Sequence, residues 1–325
     1  MGAQNDAMLS YLEDSARFAD LFNQAYFGGE QVVEPEELSE ASEAYRGGKG
    51  EGQRFRDIKK RLKSGKELKI LAVEAQNDVN YAMPWRIMDY DCREYGRQIK
   101  RIQGDNRRAE KAGGAGYANA GERLGKVRKE ERIAPVYTLC VYHGTEDWDG
   151  PRSLRDMMDF GENLPEAERR RWEEIFADYP MRLLCVNEPM DCSGFRTSLK
   201  ELFSLLPYRS DMEKMRQQIW ENPAYRSMDE ETAQMISIMI GAEIFMENKN
   251  NYKEGDGYNM CKALKDMVEQ GEAKVFTEII DHIMKNQCCS LEKACQLAGK
   301  TVEEYNSAKA LCQLEPQQSE APAQQ

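Results

Sequence analysis

The sequence predicts a mixed α/β unit followed by a helical region. Three observations carry this. The apolar runs "LKILAVEAQ" (68–76) and "IAPVYTLCVY" (133–142) read as strands buried on both faces. A helix opens near Pro84, a residue well placed in a first turn, and lies between those strands. From about Ser210 onward the pattern is helical throughout. The expected division is a domain over 1–222, a helical region over 223–312 and a polar, Pro-containing disordered tail over 313–325.

Taken in order, residues 9–27 read as an opening helix. Leu12, Phe18, Leu21, Phe22, Ala25 and Tyr26 recur near helical spacing, and Gly28-Gly29 supplies the stop. Residues 34–52 are acidic, then Gly-rich, and read as an exposed loop. A strand is expected over 53–58. The basic stretch "KKRLKSGKE" then turns at Ser64-Gly65 into the strand over 68–76. In the helix at Pro84, Trp85, Met88, Cys92, Tyr95 and Ile99 form the apolar stripe. "GGAGYANAG" (113–121) is a flexible loop. Residues 182–188 form a further strand, and 195–206 a helix with Phe195, Leu199, Leu202, Phe203 and Leu206 on one side. In the tail, Thr301 with Glu304 is a capping-box pattern. The helix, Gly turn and helix over 290–311 resemble a helix-turn-helix in spacing. Glu303-Glu304 at the start of the second helix would repel phosphates, so a packing or self-association hairpin is the better reading.

Composition narrows the chemistry. The chain has His143 and His282 as its two histidines, which excludes a zinc site built on several of them. A metal would have to be held by carboxylates, which favours a hard cation such as Mg2+ (or Mn2+). The nine cysteines contain no CxxC pair, no apolar run is long enough to span a bilayer, and the start carries no leader pattern. The expectation is a cytoplasmic protein with reduced thiols and no membrane contact. The net charge of −12 confines any nucleic-acid contact to a local patch. The best candidate runs from Arg97 to Arg132, with eleven Lys or Arg against five acids. A solvated loop and helix face is the plain alternative.

In a strand, residues i and i+2 share a face, so Glu74 and Gln76 point the same way. A carboxylate ending a buried strand is costly without a partner. If the preceding strand pairs as a hairpin, Asp57 reaches the same pocket. The alternative is that Asp57 caps a turn and Glu74 pairs with a nearby Arg.

The segment "RDIKKRL…LKILAVEAQNDVNYAMPWRIMDYDCREYGRQI" resembles the Rpn-like recombination-promoting nucleases, also called transposases, of the PD-(D/E)XK superfamily. Similar pieces stand in family order, "RFADLFNQAYFGGEQVV" before this segment and "PVYTLCVYHGTEDWDGPRSLRDMM", "FRTSLKELFSLLPYRSD" and "GYNMCKALKDMVEQGE" after it. The resemblance implies a restriction-endonuclease-like mixed sheet flanked by helices, and a magnesium-dependent DNA endonuclease linked to recombination or mobile DNA. Asp57 and Glu74 match its metal-binding acids. Gln76 matches the position that is lysine in the superfamily pattern, and Ala75 would offer its backbone carbonyl to the metal. Asp20 is the nearest match to an acidic residue on the first helix; it can equally cap a turn or face solvent. Gln76 can hold a water or a phosphate oxygen, but its neutral amide cannot act as a base.

Lys59, Lys60, Arg61, Arg86, Arg97, Lys100, Arg101, Arg107 and Arg108 are the candidate DNA contacts. Arg86 is equally placed for a salt bridge with Asp89 or Asp91. His143 reads as a structural hydrogen bonder with a proton shuttle as the alternative. Trp148 reads as a packing residue. Partners are DNA and a second copy of the chain. The competing functional reading is a nuclease fold that has lost cleavage and acts as a DNA-binding or protein-interaction module.

Overall fold

The computed structural model describes residues 3–41, 58–64, 67–114 and 116–312. It divides into two compact units, Met1–Pro207 and Tyr208–Gln325. The division therefore falls ahead of the boundary at 222 expected from the sequence. The tail over 313–325 lies outside the described residues, as does most of the loop over 34–52.

The first unit opens with α1 (Ala3–Leu12) and α2 (Ser15–Phe27), not one continuous helix. Asp14 makes the break, since its carboxylate accepts the Arg17 N–H at 2.9 Å as an N-cap. Gly28 closes α2 at φ +61°, a left-handed position that glycine adopts without a Cβ penalty. There follow β1 (Leu38–Glu40), β2 (Ile58–Ser64), β3 (Glu67–Gln76), α3 (Met83–Lys111), α4 (Ala120–Gly125), β4 (Val136–Tyr142), α5 (Glu166–Ile175), β5 (Arg182–Cys185) and α6 (Leu199–Leu205).

The five strands form one mixed sheet in the order β1-β2-β3-β4-β5. β1, β2 and β3 are antiparallel neighbours, while β3, β4 and β5 run parallel. Parallel neighbours need a crossover, and α3 supplies it between β3 and β4. The strand expected over 53–58 is described only from Ile58. It continues through the basic stretch as far as Ser64, one of the two residues read as the turn. Ile58, Lys60 and Leu62 alternate inward, and the Lys60 charge hides that alternation from a hydrophobicity pattern.

The two faces of the sheet are covered differently. Lys60 stands over the Phe18 ring of α2 at 5.6 Å, and α1 packs on β3. On the other face α3 contributes Met83 and Ile87 to a cluster with Cys140, Tyr142, Trp148 and Met181. Each such aliphatic side chain contributes about 1.5–3 kcal/mol on full burial. Trp148 packs edge-on to Tyr142 at 5.1 Å and donates its indole N–H to the Gly150 carbonyl at 2.9 Å.

The buried side of α3 differs from the expected stripe. Met83, Ile87, Tyr90, Asp91 and Glu94 face inward, whereas Trp85 and Cys92 are exposed. The inward acids have partners. Asp91 accepts from the Thr138 hydroxyl at 2.8 Å and from the Tyr179 hydroxyl. Glu94 lies 3.2 Å from Lys59 Nζ and 2.7 Å from Arg97 Nη2.

The second unit comprises α7 (Met212–Glu221), α8 (Glu230–Ile240), α9 (Glu243–Glu247), β6 (Lys253–Glu254), β7 (Gly257–Tyr258), α10 (Met260–Gln287), α11 (Leu291–Leu297) and α12 (Val302–Cys312). The β6–β7 ladder corrects the expectation of helices alone. The capping box forms as read: Thr301 N–H donates to Glu304 Oε2 at 2.8 Å, and Glu304 N–H donates to Thr301 Oγ1 at 3.1 Å. The α11–α12 hairpin packs on α10 through Ile280, Ala294, Cys295 and Tyr305. No helix among the described residues is long and apolar enough to cross a membrane.

Candidate active site

Glu74 sits near the carboxyl end of β3 with no exposed surface. Its register partner on β4 is Cys140, and that of Gln76 is Tyr142. All four residues lie on the α3 side of the sheet, because alternate strand residues share a face. The first turns of α3 bring Arg86 to this point. Arg86 Nη2 stands 3.1 Å from Glu74 Oε2. Its Nε donates to the Tyr90 hydroxyl at 3.2 Å, and the guanidinium lies 5.5 Å from the Tyr90 ring centroid. Asp89, one of the two carboxylates weighed for Arg86 in the sequence, pairs with Arg93 at 2.8 Å.

Gln76 is half-buried, and its side-chain amide donates to the Ala75 carbonyl at 2.8 Å. The Gln76 backbone carbonyl accepts the His143 N–H at 2.9 Å. His143 is fully buried, with Nε2 3.2 Å from Asn5 Oδ1. This contact between α1 and the end of β4 is the structural role read from the sequence. The next residue must be glycine: a Cβ at Gly144 would meet the Asn77 carbonyl and the Tyr142 hydroxyl oxygen at 2.3 Å. The segments leaving β3 and β4 are therefore pressed together beside Gln76. On the rim, the Tyr81 hydroxyl donates to Asp149 at 2.9 Å, and this bond raises the phenol pKa.

Asp57 lies outside the described residues. The β2–β3 ladder is described from the Ile58–Val73 pair, whose members adjoin Asp57 and Glu74 in the chain. Asp20 is 3% exposed, and its carboxylate accepts the backbone N–H groups of Arg196 and Thr197 and the Thr197 hydroxyl at 2.6–3.1 Å. It caps the turn ahead of α6, one of the roles left open for it by the sequence. Among the described residues no group of three or more His, Cys, Asp or Glu side chains could hold a metal.

The candidate DNA contacts separate into distinct environments. Lys60 is 2% exposed and pairs with Glu40 at 2.6 Å, so it faces the core and not a ligand. Lys59 and Arg97 are tied to Glu94. Arg61 is half-buried, and Lys100, Arg101, Arg107 and Arg108 are exposed along α3. At about 1.5 Å of rise per residue, Arg107 lies about 30 Å along the helix from Arg86. Residues that sequence reasoning missed are Glu94, Gln98 and Lys69, which line one cavity with Arg132 at the other end of β3. The odd-numbered face of β2 (Lys59, Arg61) is a signal that was present, since both point to the α3 side.

The fold and site define a mixed α/β protein with a buried carboxylate–guanidinium pair at the end of a central strand. Compared with known proteins, the chain matches no family model, no curated protein and no solved structure.

Proposed function

We propose that the chain is a metal-dependent DNA endonuclease of the PD-(D/E)XK type. The observation that carries this reading is Glu74: a wholly buried carboxylate near the end of a central strand, with Gln76 on the same face. The mixed sheet, in which an antiparallel strand pair leads into parallel strands through a helical crossover, agrees with the architecture that the sequence resemblance implies.

The donor chemistry fits a hard divalent cation. Glu74 offers a carboxylate and Ala75 a strand carbonyl; with Asp57 these would hold Mg2+ or Mn2+. Arg86 already supplies one positive charge to Glu74, so the pocket accommodates a cationic group against that carboxylate. A bound ion would polarise the scissile phosphate and lower the pKa of a water. The chain's own residues do the rest. Gln76 positions a water or a phosphate oxygen through its amide and leaves the proton to another acceptor. Arg86, held beside Glu74, would offer a guanidinium able to bind a phosphate in bidentate fashion. Lys100, Arg101, Arg107 and Arg108 line up along α3 for backbone contacts with DNA. A role in recombination and self-association rest on the sequence resemblance and the helical hairpin.

The test is plasmid cleavage with Mg2+ and Mn2+ by the wild type, Asp57→Ala and Glu74→Gln. Nicking by the wild type and its loss in both variants is the expected result. Equal cutting by all three, or no cutting with either metal on duplex and single-stranded substrates, rejects the reading.

A second reading has its own observation. The Arg86–Glu74 pair neutralises the carboxylate without any metal. A binding module that retained the fold would keep that pair permanently. It would retain DNA without cleavage, and Asp57→Ala would leave retention unchanged.

A further inference from the structure

At the end of β3 remote from Glu74, a cavity of about 1140 Å3 opens between the start of that strand, the middle of α3 and residues 132–135. Its arginines are Arg61, Arg97, Arg101 and Arg132; Lys69 also lines it, from a strand position that shares the opposite face of the sheet with Leu62. Glu94 is the one carboxylate among the described lining residues, and it is already engaged by Lys59 and Arg97. In a chain of net charge −12, four arginines against one carboxylate around one concavity form a local excess of positive charge. Like charges held together repel, and the field they focus into a cleft attracts an anion.

The cavity is not only cationic. Leu68, Ile102, Ile133 and Pro135 also line it, so a ligand meets apolar surface as well as charge. Its wall is fixed in advance. The Gln98 side chain accepts the Ala134 N–H at 2.7 Å and donates to the Ala134 carbonyl at 3.2 Å. The Pro135 carbonyl accepts the Ile70 N–H at 2.9 Å, and the Tyr95 hydroxyl accepts the Val136 N–H at 3.2 Å. A wall tied to both α3 and β3 needs little ordering when a ligand enters.

We propose that this cavity binds a nucleoside polyphosphate, with the phosphates on the arginines and the base against the apolar wall. The class follows from the lining. Inorganic phosphate would leave the apolar surface unused. A duplex is too wide to enter a concavity whose volume is of the order of small-molecule sites, roughly 300–1,000 Å3. Ile70, the lining residue of β3 nearest in the chain to Glu74, is four residues from it, about 13 Å at the usual strand rise, which separates the cavity from the Glu74 carboxylate. The proposal does not depend on the nuclease reading.

The test is calorimetric titration of the full chain with ATP and GTP, beside adenosine, sodium tripolyphosphate and a short DNA duplex. The variants are Arg101→Ala/Arg132→Ala, both exposed positions, and separately Arg61→Gln, with thermal unfolding to check folding. At least one nucleotide should bind, weaken at least tenfold in the double variant and in Arg61→Gln, and weaken with added salt. Adenosine and tripolyphosphate should each bind at least tenfold more weakly. Glu74→Gln should bind the nucleotide like the wild type, which keeps this site separate from the fate of the proposed active site. Four results overturn the proposal: no nucleotide binding at millimolar concentration, tripolyphosphate binding as tight as the nucleotide, wild-type affinity in folded variants, or binding of the duplex alone.

Discussion

Arg86 Nη2 meets Glu74 Oε2 at 3.1 Å, and the carboxylate it meets has no exposed surface. Removing one partner of a buried pair leaves an uncompensated charge, at a cost of about 3–5 kcal/mol. Arg86 keeps a quarter of its side chain in solvent, which places this case at the low end, about 3 kcal/mol. Arg86→Met should therefore lower the urea midpoint strongly, and adding Glu74→Gln should recover part of the loss. A single-variant loss below about 1 kcal/mol would mean that the pair behaves as a surface contact.

Asp20 permits a cleaner separation of structure from metal chemistry. Its carboxylate holds two backbone N–H groups and the Thr197 hydroxyl ahead of α6. Hydrogen bonds to a charged group contribute about 1.5–3 kcal/mol each, and the donors left behind would be partly buried. Asp20→Ala should destabilise the chain by at least about 2 kcal/mol while leaving Mn2+ affinity, read by calorimetry below the unfolding temperature, unchanged. A drop in Mn2+ affinity with stability intact would return Asp20 to the metal site.

Lys60 is a buried cation whose partner Glu40 is largely in water. The exposed partner loses little when the pair is removed, and an apolar chain of similar length fits a buried environment better than an ammonium. Lys60→Met should be close to neutral or stabilising, within about 1 kcal/mol, and DNA retention in a mobility-shift assay should not change. Loss of DNA retention in the folded variant would restore Lys60 to the DNA-binding surface.

These residues also show what a sequence reading can reach. β4 was legible because Val136 to Tyr142 is apolar on both faces, and β3 because Glu74 and Gln76 interrupt a similar run. The buried side of α3 was not legible. Asp91 and Glu94 point inward, and a charge reads as solvent-facing until its partner is known. Apart from Arg97, three residues from Glu94, those partners lie far off in the chain: Lys59 is 35 residues from Glu94, Thr138 is 47 from Asp91 and Tyr179 is 88 from it. The same limit hid β2, where Lys60 occupies an inward position between Ile58 and Leu62. The cationic cavity was half visible, as basic residues on α3. Its other walls, Lys69 and Arg132 with the Gln98–Ala134 lock, come together only through the sheet. At the candidate active site the strand face of Glu74 and Gln76 was readable, but the Arg86 partner was one of several open choices.

Glu94 carries a pH-dependent prediction. Burial acts to raise its pKa, but the Arg97 hydrogen bond and the Lys59 charge outweigh it and hold the carboxyl below its ordinary value of 4.5. A depressed folded-state pKa means that the unfolded chain takes up the proton first. The contribution of Glu94 to stability is then fully present above about pH 4.5 and is lost as the pH falls through the folded-state value. Glu94→Gln removes that dependence and leaves Lys59 and Arg97 without their carboxylate. The stability gap between wild type and Glu94→Gln, from urea unfolding at a series of pH values, should be constant from pH 7 to about 5 and narrow below about 4.5. A gap that widens on acidification would mean that the neutral carboxylic acid, not the carboxylate, is the form held between Lys59 and Arg97.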